Sequence, residues 1–219
     1  MKPILYHCAD SRSFRVLWML EELGLDYELR SLPFPPRLRQ PEFLLENPLG
    51  TIPLFIDGDT RMTESSAIAQ YLAALHGEGH YEVRPGEAGF GAYLNALSFG
   101  EATLAWPQTL VLRYARFEPE ERRIPQAAAD YAQWYHSRLR GLEAMLAGHD
   151  YVAADRFTAA DVSVGYALLL AELVGLADGH SEAVQAYWQR LKARDGYRRA
   201  RAAHALAARR TAGRGVRAA

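Results

Sequence analysis

The sequence predicts a small α/β domain followed by an all-helical one. Three observations carry this. Residues 1–76 alternate short apolar runs with stretches of helical period, a glycine-rich and charged segment follows at 77–87, and no convincing strand lies beyond it.

Ile4-Leu5-Tyr6 reads as a buried strand. Val16, Leu17, Leu20 and Leu23 then recur at spacings of three and four, which is one apolar face of a helix. Gly24 has the form of a left-handed helix stop, with Leu25 as the apolar residue that packs back behind it. Residues 27–32 read as a second strand, so the chain opens on a strand–helix–strand unit with a right-handed parallel crossover. Segment 33–41 carries Pro33, Pro35, Pro36 and Pro41 and predicts an irregular excursion with at most a short helix after it. Pro53-Leu54-Phe55-Ile56 forms the next strand, Asp57-Gly58 a hairpin turn and Arg61-Met62-Thr63 the return strand. From Ser65 a helix places Ile68, Leu72 and Leu75 on one face and ends near His76-Gly77.

These elements assign residues 1–78 to the first domain, 79–87 to a linker and 88–219 to the second. There, 88–117 is a long helical pattern that Pro107 must break or kink, because proline has no N–H to give to the helix. A second long helix fits 126–147 and stops at Gly148. Thr158-Ala159-Ala160-Asp161 has capping-box spacing with Asp as the reciprocal acceptor. The helix it starts carries Val162, Tyr166, Leu169 and Leu173, and further helix covers 181–194. From Trp188 onward there are ten Lys or Arg (Arg190, Lys192, Arg194, Arg198, Arg199, Arg201, Arg209, Arg210, Arg214, Arg217) against Asp195 alone, which reads as a solvated basic helix with a frayed end.

Composition limits the function. The 219 residues are 49% hydrophobic and 23% charged, ordinary for a globular protein, and their formal net charge is −1, so the whole molecule has no nucleic-acid footprint. One cysteine, Cys8, makes an internal disulfide or a Cys-based zinc cluster impossible within the chain. The longest apolar stretch, 165–177, is interrupted by Glu172 and falls short of the roughly 18 residues of a membrane span. Nothing at the N-terminus resembles a targeting segment, so a cytoplasmic protein is expected. The seven histidines show no metal-ligand spacing, and no phosphate-binding glycine loop is present.

Three segments carry chemistry. Ser11-Arg12-Ser13-Phe14-Arg15 stands before the first helix, whose unpaired N–H groups and partial positive charge suit an anion or thiolate. Thr51-Ile52-Pro53 opens a strand with a proline that cannot donate to the ladder, and a cis bond turning Ile52's backbone toward a ligand is one reason for it. Glu64-Ser65 begins the third helix, where a carboxylate can meet an ammonium and a hydroxyl a carboxylate.

In this order the segments resemble the cytosolic glutathione S-transferase family. Arg15-Val16-Leu17-Trp18-Met19-Leu20-Glu21-Glu22-Leu23-Gly24 matches its first helix, Asn47-Pro48-Leu49-Gly50-Thr51-Ile52-Pro53 its cis-proline loop and Glu64-Ser65-Ser66-Ala67-Ile68 its γ-glutamyl signature. Phe157-Thr158-Ala159-Ala160-Asp161-Val162 matches the capping box of its second domain. The resemblance implies a thioredoxin-like first domain, a homodimer, glutathione as co-substrate and no metal. It places Ser11, four residues before Arg15, where serine-type (theta- and delta-like) members keep the hydroxyl that donates to the glutathione sulfur. A thiol of pKa about 8.5 is about 3% ionised at pH 7; lowering it by about two units, roughly 2.7 kcal/mol, makes it about three-quarters ionised. Ile52 and Pro53 would then meet the cysteinyl part of glutathione, Glu64 and Ser65 the γ-glutamyl group, and Trp106, Arg113 and Tyr114 a small apolar electrophile.

Thr51 replaces the lysine that many members set against the glycine carboxylate, a role left to Arg39 or Gln40. Ser13 and Cys8 rival Ser11. Cys8-Ala9-Asp10-Ser11 has the C-x-x-S spacing of monothiol glutaredoxins, although cysteine-type transferases carry their cysteine nearer Asp10 or Ser11. Ser11 also has the form of a plain N-cap. His7 ends a strand, where a histidine more often packs or meets solvent than reacts. The expected function is transferase chemistry in detoxification. Two alternatives stand beside it: a non-catalytic binding or stress-response protein of the same fold, and a glutathione-dependent thiol reductase or peroxidase using Cys8.

Overall fold

The computed structural model describes residues 2–215, with side chains described to Thr211; Arg217 and the side chain of Arg214, both counted in the basic tail, lie outside them. Packing divides the chain into two compact units. One holds the chain to Gly77 together with the segment from Ala193 onward, and the other holds Glu78–Lys192. The last helix, expected with 88–219, thus groups with the first unit.

The first unit is a four-stranded mixed sheet with helices. Strands β1 (Ile4–His7) and β2 (Glu28–Ser31) pair in parallel around α1 (Ser13–Glu22), and β3 (Leu54–Asp57) runs antiparallel to β1. The β3–β4 hairpin (β4, Thr60–Met62) turns at Gly58 with φ 58°, giving the strand order β2-β1-β3-β4. α1 stops as expected: Gly24 has φ 63°, its N–H bonds the Glu21 carbonyl at 3.3 Å, and the Leu25 N–H bonds that of Leu20 at 3.1 Å. Val16 to Leu20 are fully buried on this helix, and burying each large apolar side chain contributes about 1.5–3 kcal/mol. The proline-rich excursion holds two single-turn helices, α2 (Pro36–Arg39) and α3 (Phe43–Glu46), and α4 runs Ser65–His76.

The tail corrects the solvated-helix reading. On α10 (Asp195–Gly215), Tyr197, Ala200, His204 and Ala207 recur every three or four positions and are all buried, packing on α1. The Tyr197 ring meets Trp18 at 4.9 Å and Phe14 at 5.8 Å between centroids. Gly196 is required where the two helices approach, because a Cβ there would lie 2.8 Å from the Glu22 Cα. Arg194 donates to both carboxylate oxygens of Glu22 at 2.9 Å, and Arg199 reaches Glu21. Apart from Tyr197 the stripe is built of alanines and a histidine, which have little hydrophobicity of their own, so the sequence shows it only faintly.

The second unit is helical, with no strand among its described residues. Its first helix, α5 (Phe90–Ser98), does not break at Pro107. It widens into a π-helical stretch over Phe99–Ala105, just before Pro107, and continues as α6 (Trp106–Leu112), so the proline is met by a local distortion and not a break. A second π-helical stretch, Arg113–Phe117, leads on to α7 (Pro125–Leu146). α8 (Ala159–Val174) is buried on all sides from Ala159 to Ala171, beyond the single face predicted, and α9 runs Glu182–Lys192. The capping box forms at the start of α8: the Thr158 N–H donates to Asp161 Oδ2 at 2.8 Å, and the Ala160 N–H donates to Thr158 Oγ1 at 3.3 Å.

Candidate functional site

The strand β1 delivers His7 and Cys8 to the start of α1 on opposite faces, because successive strand side chains alternate. Cys8 turns into the apolar cluster of Tyr6, Leu32, Phe43 and Leu54. It is 1% exposed, and burial pushes its thiol up to about 12, far from a thiolate at neutral pH. His7, fully buried, turns toward α1 and α10.

Between strand and helix, Asp10 adopts the left-handed backbone (φ 54°), which aspartate tolerates better than most residues. Ser11 follows with 9% of its surface exposed, while Ser13, the first residue of α1, has none. The Ser11 hydroxyl lies 2.9 Å from the Cys8 carbonyl, to which it donates, and 2.7 Å from Ser13 Oγ. Ser13 Oγ is in turn 2.7 Å from His7 Nδ1 and accepts from the Cys8 N–H at 3.4 Å. His7 Nε2 stands 3.2 Å from Nδ1 of His204 on α10, and His204 Nε2 stands 3.2 Å from Asp10 Oδ1. Ser11, Ser13, His7, His204 and Asp10 thus form one continuous chain of hydrogen bonds. Burial, with His204 beside it, lowers the His7 ring to about 3 against the pull of Asp10, so His7 is neutral. The Asp10 carboxyl is held below its ordinary range, chiefly by the His204 hydrogen bond.

The other predicted residues are placed as follows. The Ile52–Pro53 peptide is cis. Its loop is held by the buried Asn47, whose side chain donates to the Thr51 carbonyl at 2.8 Å and accepts from the Leu49 N–H at 3.1 Å. Gly50 (φ 61°) lets Arg37 and Leu44 approach within 3 Å of where a Cβ would stand. Ile52 is half-buried beside the Cys8 cluster. Glu64 is exposed at the N-cap of α4, and Ser65 is buried, its hydroxyl accepting from Arg15 at 3.1 Å. Arg39 is exposed on α2, and Gln40 lines a cavity of about 600 Å³ with Tyr6, Arg30 and Phe43, which Ser11 does not line. In the second unit, Trp106 is exposed on α6, while Arg113, paired to Glu118 at 2.9 Å, lines a cleft of about 420 Å³ with Tyr114. Among the described residues, no three His, Cys, Asp or Glu side chains gather to hold a metal ion, and no helix is long and apolar enough to cross a membrane.

Sequence reasoning missed Arg15, fully buried behind the site, and His204. Arg15 offered no sign beyond its place in the helix motif. His204 was legible only as a polar residue on the Ala200–Ala207 stripe, since its partner His7 lies 197 positions away.

A family profile described as "Glutathione S-transferase, N-terminal domain" matches residues 5–80. Glutathione S-transferase 3 of Zea mays is 31% identical over 196 residues, 86% of this chain and 88% of the maize protein. Among solved structures, the URE2P6 glutathione transferase of Phanerochaete chrysosporium, in complex with oxidized glutathione, is 26% identical with a TM-score of 0.82, covering 94% of this chain and 97% of that one. A sphingomonad glutathione S-transferase complexed with glutathione is 25% identical with a TM-score of 0.81, covering 93% and 99%.

Proposed function

The chain belongs to the glutathione S-transferase family, and from that premise we propose a serine-type enzyme that binds glutathione in the first unit and uses Ser11 to hold its sulfur as the thiolate. The observation that carries the choice of serine is exposure within the hydrogen-bonded chain. Ser13 has no exposed surface and its hydroxyl is committed to His7, Cys8 is 1% exposed with its thiol raised, and Ser11, at 9%, keeps the most exposed surface of the three just before α1. A hydrogen bond donated to a sulfur anion is charge-assisted, and the N-terminus of α1 adds its partial positive charge.

In this reading Ile52 and Pro53 meet the cysteinyl part of glutathione. Glu64 takes the γ-glutamyl ammonium, and Ser65 takes its carboxylate. Because Arg15 donates to Ser65 Oγ, the Ser65 hydrogen is left to donate onward, and the charge behind it makes it a stronger donor. Arg39 or Gln40 stands in for the lysine absent at Thr51. The thiolate attacks a small apolar electrophile, its sulfur–carbon bond forming as the leaving group departs or the double bond takes up the electron pair; Trp106, Arg113 and Tyr114 contribute to the electrophile side. The enzyme works as a cytoplasmic homodimer.

Glutathione titrated into the wild type and Ser11→Ala, with the ultraviolet absorbance of the thiolate followed against pH, tests the assignment. Wild type ionises bound glutathione near neutral pH; Ser11→Ala binds it with similar affinity but ionises it about two units higher, near the free thiol. Equal thiolate in both proteins removes Ser11 from the role, and absence of binding in both removes the transferase reading.

A further inference from the structure

The chain from Ser11 to Asp10 has a direction, and that direction follows from its ends. The Asp10 carboxylate can only accept, so His204 Nε2 carries a hydrogen and donates it. In a neutral His204 the other nitrogen, Nδ1, is then bare and accepts from His7 Nε2–H at 3.2 Å. His7 Nδ1 is bare in turn and accepts the Ser13 hydroxyl at 2.7 Å. With its hydrogen spent on His7, Ser13 offers Ser11 only lone pairs, 2.7 Å away. The Ser11 hydrogen is itself held by the Cys8 carbonyl at 2.9 Å, while those of Ser13, His7 and His204 all point toward Asp10, so the resting chain presents no hydrogen to a sulfur at Ser11. That is the wrong polarity for a hydroxyl that must donate to a sulfur anion, and the right one for taking a proton in.

We infer that the His7–His204 pair receives the thiol proton of glutathione through Ser11 and Ser13, and that this transfer reverses the chain so that Ser11 becomes the donor to the thiolate. The step balances without any further reactant. The Ser11 hydroxyl swings from the Cys8 carbonyl toward Ser13; the thiol proton then passes to Ser11 Oγ as the Ser11 hydrogen passes to Ser13 Oγ, the Ser13 hydrogen to His7 Nδ1 and the His7 Nε2 hydrogen to His204 Nδ1. The products are a thiolate, two intact hydroxyls, a neutral His7 carrying its hydrogen on Nδ1, and a His204 imidazolium donating to Asp10. Ser13 now donates to Ser11, and the Ser11 hydrogen is left facing the sulfur. The inference rests on the Ser11 reading above and adds the destination of the proton and the role of α10, which brings His204 to the site from the far end of the sequence.

The groups facing the pair support a charge on His204 rather than on His7. Asp10, half exposed, lies against the outer nitrogen of His204, and Arg201, one turn earlier on α10 and stacked over Phe14 at 5.8 Å, is the opposing cation. Phe14 closes the inner side, its ring edge-on to His204 with 5.5 Å between centroids. His7 itself, enclosed and neutral, relays the proton and does not keep it. His7, His204 and Asp10 are positioning residues: they act on the sulfur only through the serines.

The test uses the full chain labelled with 15N-histidine, His204→Gln serving to assign the ring signals. In the free protein His7 is neutral and carries its hydrogen on Nε2. When glutathione saturates the site near neutral pH, the His204 nitrogens shift to imidazolium positions, the His7 hydrogen moves to Nδ1, and an indicator dye in weak buffer records fewer protons released than thiolate formed. Asp10→Asn, an exposed change that keeps an acceptor for His204, raises the pKa of the bound thiol by about one unit, a tenfold loss of thiolate below it, without changing glutathione affinity. Thiolate forming with unmoved histidine signals and one proton released for each overturns the relay and leaves the Ser11 reading standing, as does an unchanged thiol pKa in Asp10→Asn. A wild type that forms no thiolate overturns the Ser11 reading and the relay with it.

Discussion

Each unit of the molecule buries a polar cluster at the start of a helix, and the two clusters are built on opposite principles. In the second unit the Asp161 carboxylate is an acceptor surrounded by donors: the N–H groups of Thr158 and Val152 and the hydroxyls of Thr158 and Tyr187, at 2.8–3.2 Å. Burial pushes its carboxyl up to about 6 against the pull of those hydrogen bonds. In the first unit, Ser11, Ser13, His7 and His204 are all groups that both donate and accept. The difference teaches what each can do. A sink of donors around one anion has a single low-energy arrangement and serves as an anchor. A line of ambivalent groups ending on one carboxylate has two arrangements, related by moving one proton, and serves as a relay.

The comparison is broken most sharply from the anchor's side. Asp161→Ala leaves two buried backbone N–H groups and the Tyr187 hydroxyl without their acceptor, so the protein loses at least about 3 kcal/mol of stability, read by denaturant unfolding. The relay's hydrogen bonds are expected to survive in whatever folded fraction remains. Gly196→Ala attacks the other side. Its Cβ would stand 2.4 Å from the Glu22 side chain and 2.8 Å from its Cα, so α10 must move off α1 at a cost of about 1–3 kcal/mol. The His7–His204 contact opens while the Asp161 cluster is untouched, which the ring signals of the two histidines report against an unchanged Tyr187 signal.

The smallest effect sharpens the contrast through pH. The folded-state value of His7 is lowered, so between its ordinary 6.5 and about 3 the unfolded chain binds a proton that the folded chain refuses. Its contribution is therefore complete above the upper value and is lost as pH falls. From pH 7 to 5 this one group removes about 1–2 kcal/mol of stability, and His7→Gln flattens that part of the profile in unfolding curves taken at the two pH values. Asp161 has the opposite sign. Its folded value is raised, so its contribution is fully present at low pH and is lost as pH rises through about 6.

Much of this was legible in order along the chain. The Gly24 stop, the Asp57-Gly58 hairpin, the Thr158–Asp161 box and the start of α4 at Ser65 each depend on residues within a few positions of one another, and each forms as its residue types dictate. The site was legible to the same depth: Ser11, Ser13, Ile52, Glu64 and Ser65 stood out by motif. The choice among Ser11, Ser13 and Cys8 did not, because it turns on which side chain faces solvent and which faces the core, a matter of one residue of register at a strand-to-helix turn. α10 was misread for a related reason. A stripe of Ala200, His204 and Ala207 gains its burial from how closely Gly196 lets α1 approach, and nothing in the stripe's own composition announces that.

The sequence by itself determined the order of elements, their caps and turns, the family and the short list of candidate hydroxyls, since all of these rest on local backbone preference and spacing. Only the tertiary structure decided that the last helix joins the first unit, that Arg15 stands behind Ser65, and that His204 closes a hydrogen-bonded line from Ser11 to Asp10. The physical reason is that burial and hydrogen-bond direction belong to pairs of groups, and these pairs join residues far apart in the sequence.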